Sequence, residues 1–397
     1  MQTLMFLGAA HMQMPPIEYA RNHGYRIITV DYKPDNPGHQ LADRWYDCST
    51  TNLKGVLRIA ESEDIDGIVA YASDPAAPTA AYVGNQLGLP SNPYESVLTL
   101  AHKNRFRHFL AENGFNTPIA KSFTDKSEAE IFFVSLNTSA FIKPIDSSGS
   151  KGVTKISKLS ELNDAFDHAL KYSLSNQVLI ENAIERNGYQ IDSDIFLKNG
   201  KLAFTCWGDQ HQDPSCHPYV PIGISFPSLL SERQIQNAES QIQSVLSLLG
   251  FEEGPFNVEF IIDQHDDVWL IEIGPRNGGN RIPDVIKYAT GVDLVAATVE
   301  SALGNDYKLP LNSEVNGNWS SYIVHSTKDG TYQNLNLSND IKEMIIEEDI
   351  WKRQGDELRK FQGSNDTVGT MILRFPSHEA MCQIMDDMNR YISIESI

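Results

Sequence analysis

The chain is 397 residues long, enough for two to four packed units and too long for one ordinary core. Hydrophobic residues make up 41% of it and charged residues 21%, with no run of eighteen apolar residues and no charged-then-apolar leader, so a soluble cytoplasmic protein without membrane partners is expected. The 52 acidic and 32 basic residues leave a net charge of -20, which repels a phosphate backbone, excludes nucleic acid as a general partner and requires any phosphate to be bound locally.

Residues 3–8 form a short apolar run ending at Gly8, followed by a helical stretch to His23 and a second apolar run from Tyr25 to Val30, closed by Asp31. A helix over 53–62, a strand over 66–71, a helix from Pro75 to Leu87 and the breaker Gly88-Leu89-Pro90 continue the alternation, which implies a parallel sheet. From about residue 95 the tone changes to a charged helix over 103–113 and a breaker over 114–118, placing a domain boundary near 95. Residues 189–273 read as antiparallel, with strands over 189–197, 201–207, 257–263 and 268–273, short polar turns, and one helix near 231–249. After about 310 a polar, Asn-rich stretch precedes a last small unit ending in a helix over 378–391. The expected fold class is α/β and α+β, in several domains.

Two apolar runs, Phe256 to Asp263 and Val268 to Ile273, flank the four polar residues Gln264 to Asp267. With those four as a hairpin loop, Asp263 faces Val268 and Glu259 lies opposite Glu272 on one sheet face. Facing carboxylates repel unless a cation or proton lies between them, and hard oxygen ligands suit magnesium; a different register or a solvated face is the alternative. Upstream, Lys143 ends an apolar strand and is followed by Ser147, Ser148, Gly149, Ser150, Lys151 and Gly152. Small residues let backbone N–H groups approach phosphate oxygens, while Lys143 and Lys151 supply charge. No Gly-Lys-Ser/Thr opens a helix after it, so this is not a P-loop, and a simple turn is the other reading.

In order, the strand lysine, the Gly/Ser loop, the acidic strand end at Glu181, the paired carboxylates and the run Glu272-Ile273-Gly274-Pro275-Arg276-Asn277-Gly278-Gly279 resemble the ATP-grasp superfamily, in its carboxylate–amine ligase and its biotin carboxylase and carbamoyl-phosphate synthase-like branches. The resemblance covers nearly the whole chain. It implies a Rossmann-like N-terminal domain over 1–94, an ATP-grasp core over 95–312 with a mobile lid at about 118–185, and a small C-terminal α+β domain over 313–397, where Gly355-Asp356 and Val368-Gly369-Thr370 add to the likeness. By the same resemblance Lys103 and Lys143 contact phosphate, Ser147, Ser148, Gly149, Ser150 and Gly152 close over the triphosphate, and Glu181 to Ile184 receive adenine. Glu259 and Glu272 match ligands of magnesium, with manganese as a substitute, and Arg276 matches the arginine that stabilises charge at the transferred phosphate. The implied function is ATP-dependent ligation of a small-molecule carboxylate to an amine through an acyl phosphate, with no protein nucleophile. A bicarbonate-using carboxylase or carbamoyl-phosphate-type enzyme and a non-catalytic nucleotide-binding regulator are the alternatives, and a homodimer is left open.

Two positions depart from the family. Gly274 stands where an asparagine usually supplies a third metal ligand, leaving Asn277, Asn257 or water for that role, and Gln190 stands where a glutamate binds ribose, although it can still hydrogen-bond a hydroxyl. Gly8-Ala9-Ala10-His11 lacks the second and third glycines of a dinucleotide fingerprint, so NAD is not expected. Cys216 with His211 and His217 fits no zinc spacing, and a substrate-facing loop within 205–225 is expected instead. Together with Cys48, Cys206 and Cys382, Cys216 is too scattered for a disulfide framework and suits a reducing cytoplasm. Ser73 and Asp74, just past a strand, either meet a ligand or cap the helix from Pro75.

Overall fold

A computed structural model describes residues 1–310 and 314–397, and it opens with the alternation of strands and helices expected from the sequence. Four parallel strands lie in the order Arg44–Tyr46, Arg26–Val30, Thr3–Leu7, Gly67–Ala70. Thr3–Leu7 is buried on both faces, which is why it is apolar throughout instead of alternating. Its Leu4 and Phe6 pack with residues of helices Met14–Asn22 and Leu294–Ala302, its Met5 and Leu7 with those of Leu53–Glu63 and Ala77–Leu87. The carboxyl ends of these strands open onto a cavity, as parallel sheets place their ligands.

A four-stranded antiparallel sheet follows, ordered Ala120–Phe123, Val178–Asn182, Ala140–Pro144, Thr154–Ile156, with helices Lys126–Leu136 and Leu162–Leu170. Phe123, Phe133, Ile142, Phe166 and Ile180 give it a core of its own. A nine-stranded sheet then runs Val268–Gly274, Gly254–Ile262, Gln190–Lys198, Gly208–Asp213, His217–Phe226, Asn318–His325, Thr367–Phe375, Ile345–Ile350, with Lys201–Phe204 pairing beside Gln190–Lys198. The division expected at 312–313 touches residues outside those described, but the sheet continues across it, since Asn318–His325 pairs with His217–Phe226. The expected loop within 205–225 is mostly strand, Gly208–Asp213 and His217–Phe226, although Gln212, Pro218 and Tyr219 do face the cavity. No helix among the described residues is long and apolar enough to cross a membrane.

Alternation decides what the large sheet offers on each side. Phe256, Val258 and Phe260 pack into a core with the helices Lys103–Glu112 and Glu232–Leu248, while Asn257, Glu259 and Ile261 face the cavity. The neighbouring strand breaks the rule. Leu270 and Ile273 are both buried in that core, because the pairing slips by one residue between Glu259↔Glu272 and Phe260↔Leu270 and leaves Ile271 as a bulge. The hairpin pairs Ile262 with Val268, one step away from the expected Asp263–Val268 match, and the bulge restores Glu259 opposite Glu272. Without the bulge Glu272 would share the face of Val268 and Leu270, inside the core. Deleting Ile271 should therefore regularise the ladder, with Leu270 still opposite Phe260 and Glu272 still opposite Glu259, and lower Tm by no more than about 4 °C, read by calorimetry. A loss of about 8 °C or more, the mark of a carboxylate forced into the core, contradicts the assignment.

Candidate active site

One cavity of about 890 Å³ lies between the parallel sheet, the four-stranded sheet, the large sheet and the turn near Ser364. Lys103, Lys143, Ser147, Ser148, Gly149 and Ser150 line it, as do Glu181, Ile184, Gln190, Glu259, Glu272 and Arg276. Gly152 and Asn277 do not. At Gly152 the backbone takes φ +73, and a Cβ would come within 3.0 Å of Tyr172 and 3.3 Å of Ala169, so this glycine folds the loop onto the helix Leu162–Leu170 instead of facing phosphate.

The register sets a row of three carboxylates. Glu259 lies opposite Asp192 on one side and Glu272 on the other. Burial holds the Glu259 carboxyl well above the usual carboxylate range, and Asp192 and Glu272 push it the same way. Burial also raises Asp192, although Asn257 Nδ2 (2.8 Å) and Gln210 Nε2 (3.2 Å) donate to it. Gln190 Nε2 donates to Glu259 Oε2 at 2.5 Å, so in this arrangement Gln190 holds a carboxylate where a ribose contact was expected. Three hard anionic oxygen donors in one wall of a cavity suit a magnesium or manganese ion, whose charge would remove the repulsion.

Asn277 takes no part in such a site. It is fully buried, donates Nδ2 to Asp194 Oδ2 (3.2 Å) and accepts from Thr298 Oγ1 at 2.7 Å. Asp194 also accepts from Gly278 N at 2.7 Å and from Asn257 Nδ2 at 3.1 Å, and burial lifts it to about 7. Asn277 and Asp194 thus pin the turn that carries Arg276. Asn257 faces the cavity but has its amide nitrogen committed to Asp192 and Asp194.

Glu181, in the stretch that the resemblance assigns to adenine, lines the cavity with its carboxylate already paired. Its carboxylate is buried, with Oε2 2.9 Å from Arg107 Nε and Oε1 2.5 Å from Lys143 Nζ. Burial would raise this acid, but Arg107 and Lys143 override it and hold it at about 2. Burial lowers Lys143 below the usual lysine range despite its partner. Arg107 also donates Nη1 to the carbonyl of the bulged Ile271 at 2.9 Å, so one arginine fixes both the lysine's partner and the kink that presents Glu272. Lys103 Nζ donates to Ser147 O at 2.8 Å and lies 3.2 Å from Glu272 Oε2, tying the Ser/Gly loop to the carboxylate row. Arg276 Nη2 lies 2.5 Å from Asp74 Oδ1.

Arg107, Asp192, Asp194 and Asp74 carry no motif. The alternating Asp192-Ser193-Asp194 in an otherwise apolar strand was the available signal for two of them. The histidines named in the sequence form no cluster with Cys216. His211 is bound by Asp386 and Ser225 at 2.8 Å each, and Cys216 lies beside Asp213 and His325. Burial would lower His325, but its bond to Asp213 (3.1 Å) lifts it to about 9, making a buried ion pair.

Opposite signs of stability effect are expected from two Glu→Gln changes. Glu259→Gln relieves repulsion and should leave the nucleotide-free Tm unchanged or raise it by about 2–4 °C, whereas Glu181→Gln strands two buried cations and should cost about 3 kcal/mol or more. Calorimetry decides, and a drop for Glu259→Gln as large as for Glu181→Gln contradicts the charge balance.

Comparison with known proteins places this geometry. Residues 136–284 match the ATP-grasp domain family. An uncharacterised protein of Sinorhizobium fredii, y4rH, is 26% identical over 343 residues, covering 83% of this chain and 69% of the relative. The carbamoyl phosphate synthase large chain of a Thermoanaerobacter species is 25% identical over 293 residues; the match takes in 72% of this chain and only 27% of that protein. Among solved structures, the L-amino acid ligase of Bacillus licheniformis superposes with a TM-score of 0.85 at 18% identity, covering 100% of this chain and 99% of the other, which shows a shared fold. The match assigns residues 136–284 to the ATP-grasp domain family.

Proposed function

We propose that the protein is an ATP-dependent ligase that joins a small-molecule carboxylate to an amine as an amide or peptide bond, through an acyl phosphate, and releases ADP and phosphate. The observation that carries this reading is the meeting, in one cavity, of the carboxylate row Asp192, Glu259 and Glu272 with the cations Lys103, Lys143 and Arg276. Phosphoryl transfer demands that combination, since catalysis there is mainly positioning and charge neutralisation. Glu259 and Glu272 would hold magnesium, or manganese, which supplies positive charge at the β- and γ-phosphates.

Lys143, held on a strand end by Glu181, and Lys103, held by Ser147 and Glu272, bind the triphosphate. The loop 147–150 covers it and keeps water out. A substrate carboxylate oxygen attacks the γ-phosphorus, the bond to the β-bridging oxygen breaks, and ADP leaves with that electron pair. Arg276 steadies the charge at the transferred group. An amine then attacks the acyl carbon, loses a proton, and phosphate departs. Ala10, His11, Gln13 and Ala72, at the ends of the parallel strands, line the part of the cavity where the two substrates are selected.

A phosphate-release screen with magnesium-ATP tests this across amino acids, sugar acids, purine intermediates and bicarbonate. Release that requires a carboxylate together with an amine supports the ligase; release driven by bicarbonate favours a carboxylase or carbamoyl-phosphate-type reaction, in line with the carbamoyl phosphate synthase relative. Tight ATP binding without release in any mixture would make the chain a nucleotide-binding regulator. Lys143→Ala should weaken ATP binding about 100-fold and Lys151→Ala less than about 10-fold, because the first lysine is already ordered and the second loses side-chain entropy on binding. Equal effects by calorimetric titration would contradict that distinction.

A further inference from the structure

Asp74 follows the strand Gly67–Ala70, at the edge of the parallel sheet that faces the cavity. The foreseen cap is absent, since Ser73 makes no side-chain capping bond, while Asp74 lines the cavity and reaches out of its own unit to Arg276. The side chains of the pair are 15% and 9% exposed, and the contact between Asp74 Oδ1 and Arg276 Nη2 is 2.5 Å. Apart from Asp74, Arg276 is fixed among the described residues by donating Nη1 to Asn277 O at 3.0 Å, and its buried Nε has no hydrogen-bond partner among them.

Gly274 points to the same pair independently. A Cβ at this position would come 2.7 Å from Asp74 Oδ1, 3.0 Å from Arg276 Cζ and 3.1 Å from Arg276 Nη2. Gly274 is not among the glycines with positive φ, so backbone conformation does not require glycine here; the space does. The space a side chain at 274 would need is thus taken by this ion pair, whose Asp74 comes from the parallel sheet; the side-chain oxygen of Asn277 is bound by Thr298, whereas Asn257 has its nitrogen committed to Asp192 and Asp194.

We propose that Asp74 is a positioning residue for Arg276, and that Asp74, Gly274 and Arg276 act as one device in which the substrate-facing unit sets the arginine over the carboxylate row. The inference rests on the role given above to Arg276. A displaced arginine loses its contact with the developing charge, and a misplacement of about 1 Å at such a centre costs on the order of 100-fold in rate. Because Asp74 comes from the edge of the parallel sheet, movement of that unit against the large sheet would shift Arg276.

Three measurements on the full-length protein test this. Asp74→Asn keeps the shape and removes the charge: kcat for ADP formation should fall about 100-fold with KM for ATP within about 3-fold, and Tm should fall as well, because a buried guanidinium loses its partner. Unchanged kcat, or a loss of Tm with normal kcat, would make Asp74 a merely structural bridge and overturn the proposal. In a double-mutant cycle Gly274→Ala should be costly beside Asp74 and less costly beside Asp74→Ala, because the shortest contact disappears with the carboxylate and leaves Arg276 room to shift; additive effects on kcat would overturn it as well. The third readout needs no turnover. Phenylglyoxal should modify Arg276, located by mass spectrometry, at least about tenfold faster in Asp74→Asn than in the parent, as expected when a buried guanidinium loses its anchoring partner; equal rates overturn the proposal. Should the parent show no turnover with any substrate pair, the ligase reading fails and this labelling still decides whether Asp74 holds Arg276.

Discussion

Three carboxylates placed side by side on one sheet face, with burial already disfavouring charge on Asp192 and Glu259, are the constraint on which the rest of the site depends. Asp192, Glu259 and Glu272 come from three neighbouring strands, so their proximity is imposed by backbone register and side-chain motion cannot relieve it entirely. The surroundings compensate in part: Gln190, Gln210 and Asn257 donate to the row, and Lys103 lies beside Glu272. What remains would be relieved by a divalent cation, the role proposed for this row. Stability is thus given up locally for a geometry useful only when ligand is present.

Two arginines hold that geometry from opposite sides. Arg107 joins Glu181 to the bulge at Ile271, so the strand lysine and the exposed face of Glu272 are set by one planar fork. Arg276 is held by a residue of the parallel sheet on one side and by the Asn277 carbonyl on the other. The parallel sheet, the four-stranded sheet and the large sheet each contribute to the same few contacts, and none of them contains a complete site.

How much of this was legible in the sequence depends on the range of the interaction. The carboxylate pair Glu259–Glu272 lies in one hairpin and could be found by counting, though the count succeeded because a hairpin one step out of register was cancelled by a bulge that no local signal announces. The Gly/Ser loop and strand lysine were also local. Asp192, Arg107 and Asp74 were not, since each gains its role from a partner dozens of residues or more away in the chain. Asn277 was visible as a residue but is held by Asp194 and Thr298 away from the cavity, and the partners of Glu181 were not foreseen, because burial and competing partners are tertiary facts. The strand Arg44–Tyr46 escaped notice because it is three residues long and mostly exposed at a sheet edge, with no periodicity to detect.

Oxygen transfer puts the chemistry to the most direct test. With a carboxylate substrate identified by phosphate release and labelled with ¹⁸O in both carboxylate oxygens, one label should appear in the inorganic phosphate as ADP and the amide form, because the carboxylate oxygen that attacks the γ-phosphorus leaves with it. AMP and pyrophosphate as products, or unlabelled phosphate accompanying full amide formation, would contradict an acyl-phosphate ligase.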